Sequence, residues 1–223
     1  MSEFGRIPPH ALRQPKSFTL RVAEDDITEL KTLLKLSKIG PVTFENANDG
    51  FGITREWLSD AKDYWLNRFD WRQHEKVVNS FPNFTTTVDD PVHGCLSIHF
   101  MALFSKKPDA VPIVFLHGWP GSFLEFIPMF KLLISKYDSH NLPYHVIVPS
   151  LPGYTLSTGP PLNRDFNNQD SARVINQLMI DLGFGKNGYV VQGGDIGSDL
   201  ARRMAIHYPE CKAIHAHRVM KTD

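Results

Sequence analysis

Val190-Val191-Gln192-Gly193-Gly194-Asp195-Ile196-Gly197-Ser198 reads as a strand that runs through a tight turn into a helix, with an acidic side chain at the apex of the turn. A residue held on a sharp strand-to-helix turn takes strained backbone angles, and small neighbours let the helix pack close to the strand. In the usual elbow of this kind the apex is serine. Here it is Asp195. A carboxylate attacks saturated carbon and leaves an ester behind, so the chemistry indicated is alkyl-ester formation rather than peptide-type acyl transfer.

Upstream, Pro112-Ile113-Val114-Phe115-Leu116 is an apolar run long enough for one buried strand. It leads directly into His117-Gly118-Trp119-Pro120-Gly121-Ser122, followed by a helical pattern over 123–133. Glycine and proline let the backbone turn sharply, so that an N–H can point into a site as half of an oxyanion hole. The second donor would be the N–H of Ile196, just after the apex. Two separate halves of one site, in the expected order, are far more specific than either alone.

With these residues in view, the chain resembles the α/β-hydrolase-fold epoxide hydrolases, in the microsomal-type and fungal soluble branch that carries an extra N-terminal region. The resemblance rests on His117–Ser122, on Pro149-Ser150-Leu151-Pro152-Gly153-Tyr154 and on Gly193–Ser198. Phe69-Asp70-Trp71-Arg72 and Asn79-Ser80-Phe81-Pro82-Asn83-Phe84 resemble the N-terminal region. It runs from about Phe18 to about His217. It implies that Asp195 opens an epoxide, that the Trp119 and Ile196 amides hold an oxyanion, and that His117, Gly118, Trp119, Pro120 and Tyr154 line the substrate side. It also implies two tyrosines on a cap as the acid, and a histidine oriented by a carboxylate as the base that activates water. The partners are then a small apolar epoxide and water, the product is a vicinal diol, and no metal or organic cofactor takes part.

Those tyrosines, the histidine and its carboxylate partner lie within or beyond the cap, after the sixth strand of the family fold. This sequence runs only to Asp223, and Arg218–Asp223 does not look like the family's continuation. The expectation is a C-terminally truncated hydrolase, impaired in turnover. The rival reading is a catalytically inactive truncated product, or a fragment that binds a partner through an open sheet edge. Asp-elbow dehalogenases share the nucleophile but do not usually carry the N-terminal region.

Other residues near the motifs have plainer readings. His215 and His217 are read as strand-end histidines, His117 as a structural hydrogen-bonding group of its turn, and Asp199 as facing solvent or a neighbouring helix. Ser198 is off the apex, and Ser122 and Glu125 are helix-start residues. Tyr154 either lines the pocket or packs.

A chain of 223 residues is ample for a buried core. Lys+Arg and Asp+Glu both number 24, so the net charge is zero and nothing recommends nucleic acid or an anionic membrane as partner. Cys95 and Cys211 lack metal-ligand spacing and read as buried thiols in a reducing compartment. No signal peptide is evident, and no stretch approaches the roughly 20 apolar residues needed to span a bilayer. A soluble cytoplasmic protein is the default.

The pattern divides the chain into a mobile arm (1–16), the N-terminal region (17–83) and the first half of the hydrolase domain (84–223), whose cap and last strands are missing. Helices are expected over 25–36, 54–69 and 71–79, the first with Asp25 or Asp26 near its N-cap, and Trp57, Trp65 and Trp71 as core. Beyond 84, strands alternate with helices, which implies a mostly parallel sheet covered on both faces. With the last strand an open edge, the isolated chain is expected to self-associate.

Overall fold

A computed structural model of the chain describes residues 3–217, in two compact units: Leu20–Val77, and the residues on either side of it. The larger unit is built on one seven-stranded sheet: β1 (Lys16–Ser17), β2 (Asn83–Asp90), β3 (Gly94–Leu103), β4 (Val111–Leu116), β5 (Tyr144–Pro149), β6 (Tyr189–Gly194) and β7 (Cys211–His217). Their order across the sheet is β1-β2-β3-β5-β4-β6-β7. From β5 through β4 and β6 to β7 the pairing is parallel; from β1 through β2 and β3 to β5 it is antiparallel. The sheet is therefore mixed, and the expected parallel arrangement describes the half that carries the elbow. β2 and β3 run antiparallel because the short turn at His93-Gly94 returns the chain at once, whereas parallel neighbours need a crossover.

Side-chain alternation sorts the strands onto two covered faces. On one face Ile98, Phe100, Val114, Ile147 and Val191 join a buried cluster with Ala172, Ile175, Leu178 and Met179 from α5 (Asn168–Met179) and Leu200, Ala201 and Met204 from α6 (Ile196–His207). On the other, Phe115 meets Phe126 and His99 meets Phe123, with ring centroids 5.6 and 4.8 Å apart. The segment after the His117–Ser122 turn is a 3-10 turn over Phe123–Phe126 that continues as α4 (Ile127–Lys136). Pro128 sits in the first turn of α4, where its missing N–H costs nothing.

Helix α5 begins on a capping box. The Asn167 side chain accepts from the Gln169 amide, and Asp170 reaches back to the Asn167 amide. Arg173 of α5 then clasps Asp90 (2.6 Å) and Asp170 (2.7 Å). Burial works against the ionised Asp90, but Arg173 and the backbone amides of His93 and Val92 outweigh it and hold the carboxyl below its usual range.

Residues 3–16, within the arm expected over 1–16 to be mobile, are tied to this unit along their length, as is Ser17 after them. Phe4 is buried, its carbonyl accepts from the Phe104 amide, and the Leu12 amide donates to the Asp181 carbonyl. Arg13 pairs with Asp89 and Asp181, and Lys16 and Ser17 pair with β2. Polarity and proline content could not reveal this, because what secures the segment is backbone pairing, the Arg13 ion pairs and one phenylalanine, each made to residues distant in the chain.

The smaller unit carries α1 (Glu24–Leu36) and α2 (Arg55–Asn67), and α3 (Trp71–Asn79) begins in it. Thr54 caps α2 by accepting from the Trp57 amide, as expected. The N-cap of α1 is Ala23, without a side-chain cap; Asp25 and Asp26 fall in its first turn, where they favour the helix dipole instead. Trp57 and Trp65 are not core: they are 58% and 46% exposed, and Trp65 stacks on Phe69. Nor are both cysteines buried, since Cys95 is exposed and hydrogen-bonded to Asp89, while Cys211 is buried.

Candidate active site

Asp195 lies between β6 and α6 with φ 53° and ψ −123°, a left-handed conformation that a non-glycine residue adopts only under local constraint. The constraint is close packing of strand and helix. A Cβ placed on Gly193 would lie 2.1 Å from the Gly197 carbonyl oxygen, and one on Gly197 would lie 2.3 Å from that of Leu116. These two glycines bring α6 against β6 and β4 and force the bend between them. The turn is closed by the Ser198 hydroxyl and amide, both donating to the Asp195 carbonyl at 2.6 and 3.0 Å.

The bend presents the carboxylate to the turn after β4. The Trp119 amide donates to Asp195 Oδ1 at 2.8 Å. Close approach is possible because Gly118 has no side chain: its Cβ would fall 2.8 Å from the Asp195 Cβ. The Trp119–Pro120 peptide is cis. Ile196 opens α6, so its amide is among those that a helix leaves without an intrahelical acceptor. The two halves that the sequence placed 76 residues apart thus meet at one carboxylate.

A family model described as "Epoxide hydrolase N terminus" matches residues 15–126, and one for the alpha/beta hydrolase fold matches 111–219. The chain belongs to the epoxide hydrolase family. It is 50% identical to the epoxide hydrolase of Aspergillus niger, whose structure superposes with a TM-score of 0.91 over 98% of this chain and 56% of that one. Juvenile hormone epoxide hydrolase of the silkworm Bombyx mori is 30% identical, with a TM-score of 0.76 over 91% of this chain and 52% of its own. Epoxide hydrolase 1 of Oryctolagus cuniculus is 31% identical over 92% of this chain and 45% of that protein. The chain spans about half the length of the curated relatives it matches.

Around the Asp195 carboxylate the remaining residues fall into place unevenly. Trp119 is 67% exposed beside Asp195, an apolar surface next to the carboxylate. Tyr154 is half-buried and meets the His117 ring edge-on at 5.0 Å. His117 itself is fully buried. Its Nδ1–H donates to the Gly118 carbonyl at 3.0 Å, and its Nε2 accepts from the Leu151 amide at 3.1 Å. Burial lowers its pKa although the Gly118 hydrogen bond raises it, and an Nε2 that accepts from an amide carries no proton. It lies beneath the turn that meets the carboxylate and joins that turn to the one after β5. Asp199 faces a neighbouring helix, bonded to Asn168 of α5 and paired with Arg203.

His215 and His217 are exposed on β7, with His217 paired in register to Gly194, one residue before the apex. Among the described residues no group of three acidic, histidine or cysteine side chains could hold a metal ion, and no helix is long and apolar enough to cross a membrane. Arg218–Asp223 lie outside the described residues.

One acidic residue read only as a helix-start is closer to the site than its position in the sequence suggested. Partial desolvation, and next the nearby Asp195, push the Glu125 carboxyl up, while the Gly118 amide draws it down. The spacing of a glycine four residues before an acid was visible in the sequence, but nothing in the spacing says that the two touch.

Proposed function

We propose that this chain carries the nucleophilic half of an epoxide-opening site. Asp195 attacks an epoxide carbon; the carbon–oxygen bond of the ring breaks, the ring oxygen takes a proton, and a hydroxyalkyl ester remains on Asp195. Water then attacks the ester carbonyl, the Trp119 and Ile196 amides bear the resulting oxyanion, and collapse releases a vicinal diol and the free carboxylate. The observation that carries this reading is the 2.8 Å hydrogen bond from the Trp119 amide to a carboxylate held at a left-handed elbow. The 50% identity to the epoxide hydrolase of Aspergillus niger supports an epoxide as substrate, and the resemblance implies a small apolar one.

The reading assigns the nucleophile to Asp195 and the oxyanion donors to the Trp119 and Ile196 amides, and gives no residue the role of base or acid. The proposed compartment is the cytoplasm, in keeping with two unpaired cysteines.

The test is to incubate the purified chain with styrene oxide and follow both intact mass and diol. A single adduct on Asp195, lost in Asp195→Asn, supports the nucleophile with stalled hydrolysis. Sustained diol, also lost in that variant, supports the nucleophile together with a base in the chain. Neither adduct nor diol would overturn the reading in favour of an inactive fragment.

A further inference from the structure

The six-residue turn His117–Ser122 contains two glycines, and each yields its space to a carboxylate. Gly118 makes room for Asp195, whose Cβ and Oδ1 would lie 2.8 and 3.1 Å from a Cβ at that position. Gly121 makes room for Glu125, whose Oε2 would lie 2.3 Å from a Cβ there. The backbone that carries Trp119 is thus seated between two acidic side chains.

Glu125 is itself on firm ground. Its amide donates to the Ser122 carbonyl at 3.1 Å, and the Ser122 hydroxyl accepts from the Leu124 amide at 3.3 Å. Its neighbours Phe123 and Phe126 pack against His99 of β3 and Phe115 of β4. Helix capping alone does not require the carboxyl to turn back onto Gly121. A Cβ at Gly121 would also lie 3.2 Å from the Gly118 carbonyl oxygen, so the Glu125 carboxyl and the Gly118 backbone border the same space, and the Gly118 amide favours the ionised carboxyl.

We propose that Glu125 is a positioning residue for Asp195: by packing on Gly121 and Gly118 it fixes the backbone that aims the Trp119 amide at the Asp195 carboxylate. This rests on Asp195 being the reacting group. Glu125 does not touch substrate; it acts through the amide next to the one it holds.

The experiment uses the 223-residue chain, labelled with 15N, as wild type, Glu125→Gln, Glu125→Ala and Gly121→Ala. Two quantities are read: hydrogen exchange of the Trp119 amide, and the rate of Asp195 adduct formation with styrene oxide. Glu125→Ala and Gly121→Ala are expected to speed exchange and slow adduct formation by about tenfold, the scale on which small misplacements act. Glu125→Gln keeps an acceptor oxygen and is expected to stay within about threefold of wild type. Thermal melting verifies that each variant is folded. Wild-type exchange at Trp119 in Glu125→Ala overturns the proposal, as does equal damage in all three variants. If the wild type forms no adduct, the reaction assigned to Asp195 fails, and Trp119 exchange alone still decides the role of Glu125.

Discussion

Gly193 and Gly194 stand side by side before Asp195, yet only one of them has to be glycine. A Cβ on Gly193 would strike the Gly197 backbone at 2.1 Å, whereas one on Gly194 meets nothing closer than the His217 carbonyl oxygen at 3.8 Å. Gly193→Ala is therefore expected to destabilise the chain by about 3 kcal/mol or more, because the contact is with backbone that cannot step aside. Gly194→Ala is expected to cost less than about 1 kcal/mol. Urea titration of the two variants checks the difference, and equal costs would contradict it. The sequence shows both glycines equally; only the path of α6 against β6 tells them apart. The same holds for the acids. Asp195 is legible from its place between strand and helix, but Glu125 is not, since its carboxyl reaches the site by turning back over a proline-bent loop.

Histidines on the strands link the sheet to pH. His99 on β3 is buried, bonded to Ser150 and Asn83, and burial lowers its pKa from 6.5 to about 4. His145 on β5 is lowered to about 4 as well, first by burial. Between those values the unfolded chain binds protons that the folded chain refuses. These sites therefore contribute fully above pH 6.5, and their contribution is lost as pH falls towards 4. The expected outcome is a folding stability that declines over this window, with a shallower decline in His99→Asn, measured by urea titration at stepped pH.

The helices teach a different lesson. The apolar stripe of α2 is real, but periodicity reports that a face exists and not what covers it. With Trp57 58% exposed, Trp57→Ala is expected to cost less than about 1 kcal/mol, whereas truncation of the fully buried Phe100 to alanine should cost about 3–5 kcal/mol. Comparable losses at the two sites, by thermal or chemical denaturation, would show that Trp57 is covered in solution.

At the scale of the whole molecule, β7 is the last strand on its side of the sheet among the described residues. Its Ile214 is 37% exposed, and Ile206 on the preceding helix is 71% exposed. An outer strand with apolar side chains is a template for pairing. The chain is expected to self-associate with rising concentration in sedimentation velocity, and Ile214→Lys to weaken that association. A wild-type monomer at all concentrations would contradict this. Local and periodic features were legible along the chain: the strand–turn–helix around Asp195, the turn after β4, the order of most elements and the family. These follow from residue type and spacing, since glycine, proline and alternation act over a few neighbouring bonds. The tertiary structure alone decided which glycines are crowded, that residues 3–17 are held against the sheet, that His117 lies beneath the site and that Glu125 joins it. Each of these depends on a contact between segments distant along the chain, and such contacts exist only once the sheet has set the distances between them.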